Sequence, residues 1–494
     1  MEAAQKRDAH AHHGDGMRHL DAGRLTLAAG AFARAIELAP RWAEPMTALG
    51  NVSRALGRPR DAVQLHRAAL NLAPDSAPIW SNLALAHKAD GDDAEAIACL
   101  RRAAALAPDS AEIRFNLGNA WAAQGRPDDA ASAFETALAL DPAHNRARIH
   151  LGTALKDCGQ VEDAITCLRA AVAREPGNAD AEWNLALALL LAGHFAEGWS
   201  AYEARKRLPR FAIRKPAGPE WLGEPMAGET LLIHAEQGLG DTIQFVRFAR
   251  FAAQACARIV VGVPRAMIRL IDCVHGLDDV VDLARDDLAY ARQIAMLSLP
   301  RLAEGWGGAT EAPYIYADQA RIRAWGERLG PREGLRIGLC WQGNPAYAAD
   351  SRRSMPLSLF APLAAIPGVR IHGLHKGPGQ AQIQEFVPRG TITDLGAELD
   401  RKGHAFLDTA AVMSHLDLVI STDTAIAHLA GALGHPTWLL LPHVADWRWG
   451  IGGDTTPWYP TMRIFRQETP GDWTGTIARL CAALATYTPK DTRP

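Results

Sequence analysis

The residues best suited to chemistry fall in two short clusters. The first reads His234-Ala235-Glu236-Gln237-Gly238-Leu239-Gly240-Asp241-Thr242 and follows an apolar strand pattern. A helix that starts at such a glycine turn points backbone N–H groups outward, where an anion or a polar substrate can sit beside Gly238 and Gly240. The second cluster, Ser421-Thr422-Asp423-Thr424-Ala425-Ile426-Ala427-His428, again follows a strand and opens a helix. Asp423 or Thr424 would cap that helix, and its first-turn amides would face a ligand phosphate. His428, about one turn in, lies on the face that reaches the same pocket.

Each assignment has a plainer alternative. Asp241 can be only a helix cap, and His428 only a hydrogen-bonded core histidine. Trp447, Trp449 and Trp458 can stack on a nucleobase or pack across a domain cleft. Several chemistries are disfavoured outright. A dinucleotide fingerprint needs a third glycine where Ile243 stands, and an acid about twenty residues on, where Ile259, Val260 and Val261 lie. No GxxxxGK[ST], GxSxG or HExxH segment occurs.

Metals and cofactors are not expected either. The seven cysteines show no CxxC and no ligand spacing with histidine, which points to reduced, mostly buried thiols. His10, His12 and His13 read as solvated residues of a frayed N-terminal segment. A net charge of -3 argues against a nucleic-acid partner. The start lacks an apolar leader and no run reaches the ~20 apolar residues of a membrane span, so a cytoplasmic protein is expected.

The two clusters need a strand-rich framework, and the pattern from Thr230 onward supplies one. LLIHA, a helix over 242–256, RIVVGV and VVDL make a first series. LRIGLCW, VRIHGLH, a helix over 406–414, LDLVIS, a helix from Ala425 and TWLLLP make a second, after the hinge Gly330–Gly334. Strands alternating with helices imply parallel α/β units. Two Rossmann-like halves are predicted, over 229–329 and 335–488, entered through a Pro-rich linker over 213–228.

Residues 1–212 are organised differently. Gly23, Gly57, Gly91, Gly125, Gly159 and Gly193 recur every 34 residues. Ala28, Ala62, Ala96, Ala130 and Ala164 run in phase with them, as do Pro40, Pro74, Pro108, Pro142 and Pro176. Glycine permits the positive φ of a turn, small alanines let two helices approach, and proline stops the second helix. The period and pattern resemble the tetratricopeptide repeat, in about six units from residue 9, the first degenerate. Such arrays are solenoids with a concave groove, which implies a protein or peptide partner. Asn82, Asn116 and Asn184 share one position on the face turned to that groove, with His150 in the intervening slot. They resemble the asparagine ladder with which O-GlcNAc transferase solenoids hold an extended peptide; the alternative is that they tie adjacent repeats together.

In the second half, DTxxxHLAxALGxP at 423–436, paired with GLGD at 238–241, resembles the family 9, heptosyltransferase-type members of the GT-B glycosyltransferases, over roughly residues 228–486. The resemblance implies a nucleotide-sugar donor and a hydroxyl acceptor. It makes Asp241 the general base, and Arg353, before the Met355-Pro356 step, the cation that grips the donor phosphate. Arg353 can equally be a surface charge. Trp341 and Gln342 would line the cleft. No DxD-like motif is evident, so a metal-independent transfer is implied. A solenoid joined to a GT-B module also resembles the architecture of O-GlcNAc transferase. The alternative function is a scaffold whose GT-B module binds a ligand without turnover.

Overall fold

Glycine sets the turns of the N-terminal region. In the computed structural model the six glycines of the 34-residue column adopt φ between 67° and 85°, and at Gly23, Gly57, Gly91, Gly125 and Gly193 no atom lies within 4 Å of where a Cβ would stand, so backbone conformation alone selects these five. The structure describes residues 2–211, 216–303, 311–347, 350–386, 389–401 and 403–489. Between the turns run paired helices: α1 (Glu2–Asp21), α2 (Leu25–Leu38), α3 (Ala43–Ala55), α4 (Pro59–Leu72), α5 (Ala77–Asp90), α6 (Asp93–Leu106), α7 (Ala111–Ala123), α8 (Pro127–Leu140), α9 (Asn145–Asp157), α10 (Val161–Arg174), α11 (Ala179–Ala192) and α12 (Phe195–Tyr202).

A second glycine column explains how tightly each pair packs. A Cβ at Gly16 would lie 2.5 Å from the Phe32 ring, at Gly50 2.6 Å from His66, and at Gly118 2.5 Å from Phe134. Each bulky residue therefore sits against bare backbone one helix away. The alanines in phase with the turns, Ala28, Ala62, Ala96, Ala130 and Ala164, are all buried. The first helix begins at Glu2 and not near Ala9, and its histidines are not frayed: His10 stacks on Trp42 with ring centroids 4.3 Å apart, and His13 packs against Phe32 and Trp42.

The chain divides into two compact units, residues 1–188 and 189–494. The second starts well before the expected linker, for a physical reason. Trp199 meets Phe245 and Trp447 edge-on, and Arg205, fully buried, donates to both carboxylate oxygens of Glu236 and to Ser298 Oγ. A buried charge must stay with its partner, so residues 195–208 belong to the α/β unit. Part of the expected linker is also ordered there. Trp221 is fully buried and its N–H donates to Gln293 O at 2.9 Å.

Among the described residues, ten parallel strands form two sheets: β1 (Met226–His234), β2 (Cys256–Val263), β3 (Asp279–Asp282), β4 (Arg292–Ala295), then β5 (Leu335–Cys340), β6 (Val369–Gly373), β7 (Ile392–Asp394), β8 (Leu418–Thr422), β9 (Thr437–Leu441) and β10 (Met462–Arg466). The first sheet has the order β3-β2-β1-β4, and the second β10-β9-β8-β5-β6-β7. In each, the strand order reverses once, beside β1 and between β5 and β8. Crevices at the carboxyl ends of strands open at such reversals, and there open α/β sheets bind ligands. Both sequence clusters begin where β1 and β8 end.

The helix expected over 242–256 is broken. An α-helix spans Leu239–Phe245, a 3₁₀ turn follows at Val246–Phe248, and a short helix ends at Ala252. Tertiary contacts explain the break, because Arg247 leaves the helix line to donate to Trp458 O and Tyr314 Oη at 2.8 and 2.7 Å.

Candidate active site

The turn after β1 is not built as its glycines suggest. Gln237 carries the positive φ, 58°, whereas Gly238 is the N-cap of the Leu239–Phe245 helix at φ -85°. A non-glycine residue in that conformation stores strain beside the loop that bears Asp241. Asp241 is the third residue of the helix and not its cap. Its Oδ2 reaches back to accept the Gly238 N–H at 2.8 Å, and its other oxygen pairs with Arg448.

Gly240 is selected by close approach. A Cβ there would stand 3.0 Å from His428 Cδ2 and 3.6 Å from Ala425 Cα, so this helix start abuts the Ala425–Ala432 helix. Two clusters almost two hundred residues apart thus meet at one point. His428 is buried, its Nδ1 within 2.9 Å of Tyr459 Oη, its ring stacked on Trp449. Burial, with Arg448, Arg247 and Arg353 nearby, holds it well below the usual imidazole range, so it is neutral.

Thr424 is the N-cap of the Ala425–Ala432 helix, but its side chain makes no cap hydrogen bond and pairs instead with Ser421 Oγ at 3.1 Å. The Ala427 N–H turns back to Thr424 O at 3.0 Å, and no side chain caps the amides of Ala425 and Ile426. Arg353 Nη1 donates to Asp423 O at 2.6 Å, which sets a guanidinium beside that helix start. Asp350 orients Arg353 through Nε at 3.0 Å and also accepts from Ser354 Oγ at 2.7 Å. Arg353 is therefore held in the site by partners on both sides and is not a solvated charge.

Three carboxylates and two guanidinium groups share this crevice. Burial, the largest influence, raises the Asp241 carboxyl above the ordinary aspartate range, although Arg448 and the Gly238 N–H pull it back. Burial and Asp446 push Asp423 up to about 6 against the opposing pull of Arg353 and Arg448. Arg448 links the acids: Nη1 donates to Asp446 Oδ1 at 2.8 Å, Nε to Gln244 Oε1 at 2.8 Å, and its guanidinium lies 4.3 Å over Trp447. Carboxyls with raised pKa beside fixed cations are suited to proton transfer and anion binding.

Arg448, Asp446, Gln244 and Tyr459 escaped the sequence reading. The one signal the sequence offers is the run Asp446-Trp447-Arg448-Trp449, an acid and a base set among tryptophans. Those tryptophans and Trp458 are all buried in aromatic contacts, which is the packing alternative. Trp341 is likewise not a cleft residue. It is fully buried in the core of the second sheet, 4.8 Å from the His375 ring, in the residue that follows β5. Gln342 is half-buried and accepts from Gln382 Nε2 at 3.2 Å.

Comparison with known proteins assigns the first unit. Tetratricopeptide repeat models match residues 47–111, 81–145 and 122–190. Residues 47–190 are tetratricopeptide repeats. Protein FlbA of Caulobacter vibrioides is 29% identical over 340 residues, covering 60% of this chain and 54% of FlbA. The chain thus spans about half the length of the curated relative it matches. Among solved structures, PilF of Pseudomonas aeruginosa aligns with 42% of this chain and 94% of its own (20% identity, TM-score 0.38), and MamA of Desulfovibrio magneticus with 35% and 97% (20% identity, TM-score 0.33). YrrB, described as a TPR protein with an unusual peptide-binding site, aligns with 37% and 95% (20% identity, TM-score 0.33).

In the tetratricopeptide unit the three asparagines are half-buried and differ in their bonding. Asn184 Oδ1 accepts from Thr153 Oγ1 of the preceding repeat at 3.1 Å, and its Nδ2 donates to Asp180 O at 2.8 Å. That amide ties repeats together. His150, in the same column, is packed between Phe115 and Phe134. Asn82 and Asn116 remain as the candidates for a peptide contact. No helix of the described residues is long and apolar enough to cross a membrane.

Proposed function

We propose that the α/β unit is a glycosyltransferase that moves a sugar from a nucleotide-sugar donor to an acceptor hydroxyl, with two Rossmann-like halves in the GT-B manner. One observation carries the reading: the meeting of Gly240 with His428, which faces a carboxylate of the first sheet toward the cation and bare helix start of the second. Asp241 takes the acceptor proton as that oxygen attacks the anomeric carbon. The bond from that carbon to the diphosphate breaks, and the diphosphate leaves toward Arg353 and the amides after Thr424, whose charge suits the developing anion. The raised Asp241 carboxyl is the stronger base for this role. Gly238, Asp423 and His428 shape the donor and acceptor crevice.

The tetratricopeptide unit recruits the protein that bears or carries the acceptor. Support for this rests on the repeat models and on Asn82 and Asn116. The second reading, a scaffold that binds without turnover, is favoured by the Arg448 clamp on Asp241, which occupies the proposed base.

A thermal-shift screen of the whole chain against UDP-, GDP-, ADP- and CMP-sugars, followed by a donor-hydrolysis assay, tests both. A stabilising nucleotide-sugar with slow sugar release supports the transferase; stabilisation with no release at any concentration of chain supports the scaffold; no stabilisation by any nucleotide-sugar removes the donor site.

A further inference from the structure

The third tetratricopeptide hairpin holds a cluster that the repeat itself does not require. His87 lies near the end of α5, and Glu95 and Cys99 are four residues apart on α6, so both acid and thiol project from one face. One imidazole nitrogen, Cys99 Sγ and a Glu95 oxygen lie within 4.8 Å of one another. His87 and Cys99 are buried, and Glu95 is exposed at the mouth.

Two further observations point to a ligand. His87 Nε2 is buried with no hydrogen-bond partner, a state that is costly for an imidazole unless something else takes its lone pair. Nδ1 faces Asp92 Oδ2 at 3.6 Å, and Asp92 is itself held by the N–H of Glu95 at 3.2 Å. A carboxylate behind a histidine is the usual means of orienting that ring toward a metal. The repeat pattern also separates structure from site. At the matching positions one unit earlier stand Ser53, Asp61 and Leu65, and one unit later Trp121, Asp129 and Ala133. An acid recurs in each hairpin, while histidine and cysteine together occur here alone among these three.

We propose that His87, Glu95 and Cys99 bind a divalent cation of the zinc class, with water in the fourth position. A nitrogen, a thiolate and a carboxylate are a ligand set zinc accepts, and closing 4.8 Å to a tetrahedral site needs about 1 Å of side-chain rotation. The thiol proton passes to solvent as sulfur binds. The ion would pin α5 to α6 and stiffen this part of the solenoid.

Co²⁺ titration of the whole chain, stripped of metal, tests the site by the thiolate-to-cobalt absorption of a tetrahedral centre. One equivalent should give that band, Zn²⁺ should displace it, and Zn²⁺ should raise the melting temperature. Cys99→Ser should abolish the band. Glu95→Gln, exposed and not part of the core, should keep the fold and weaken affinity by about tenfold. His10, His12 and His13, replaced together by Asn, should leave the cobalt band and its affinity as in wild type, although their packing on Phe32 and Trp42 is lost. The proposal is overturned if wild type gives no thiolate band, if Cys99→Ser retains it, or if Glu95→Gln leaves the affinity as it was.

Discussion

A Cβ placed on Gly240 would stand 3.0 Å from His428 Cδ2, and His428 cannot retreat, because Tyr459 Oη holds its Nδ1 at 2.9 Å and Trp449 stacks on its ring. This contact joins the two α/β halves at the candidate active site. Gly240→Ala should therefore force the Leu239–Phe245 helix away from the Ala425–Ala432 helix, costing about 1–3 kcal/mol of stability. Chemical denaturation measures it, and a variant as stable as wild type would mean that the contact is slack.

Asp241→Asn should lower transfer by ~10²–10⁴ while donor affinity stays nearly unchanged. Arg448 keeps Asp446 as a partner in that variant, so the fold should survive. Steady-state rates beside donor titration give the answer. Transfer at the parental rate would leave Asp241 as a reach-back contact to Gly238 and nothing more.

Arg353→Ala should weaken nucleotide-sugar binding by ~1.5–3 kcal/mol, the worth of a charge-assisted hydrogen bond. Its loss leaves the buried Asp350 with Ser354 Oγ as its remaining side-chain donor, so a urea midpoint taken beside the binding constant separates lost stability from lost affinity. Calorimetry showing equal nucleotide affinity would take Arg353 out of the donor site.

Asp423 has a folded-state pKa of about 6 against 3.8 for the free side chain. Because the folded value is raised, its contribution favours the native state below about pH 3.8 and is lost as pH rises through about 6. Wild type should thus lose stability relative to Asp423→Asn across that window, by at most ~3 kcal/mol. Urea midpoints of both proteins at several pH values test this, and parallel curves would contradict it.

His66 fills the slot that Phe32, Leu100, Phe134 and Leu168 fill in the other units, with both ring nitrogens buried and unpaired. Burial depresses its pKa to about 4. That depressed group supports the fold above about pH 6.5 and weakens it as pH falls toward 4. His66→Leu should raise stability by about 1–3 kcal/mol at neutral pH and flatten the acid limb. Melting curves at pH 7 and pH 5 report both; a less stable variant would reveal a partner for the imidazole.

Much of this protein was legible as local chemistry. The 34-residue column of glycines sets its own turns, since each needs only a positive φ, and the alanine columns follow from two helices packing within one hairpin. β1, β2, β5, β8 and β9 announce themselves as apolar runs, whereas β4, β7 and β10 do not, since Arg292-Gln293, Thr393 and Arg463-Arg466 interrupt them. Asp241 and Thr424 are placed beside a turn by their neighbouring residues, whereas Arg353 is placed only by the family resemblance.

Only the tertiary structure decided which of these residues meet. Arg448 reaches Asp241 across 207 positions, and Arg205 reaches Glu236 across 31, moving residues 195–208 from the repeat pattern into the α/β core. Trp341 became core, and Gly240 became a contact instead of a turn. Periodicity records what a residue does within its own helix or strand, because those forces act over four residues or fewer. The choice of a distant partner depends on burial, where an unpaired charge or an added methyl is expensive, and burial exists only once the sheets have packed.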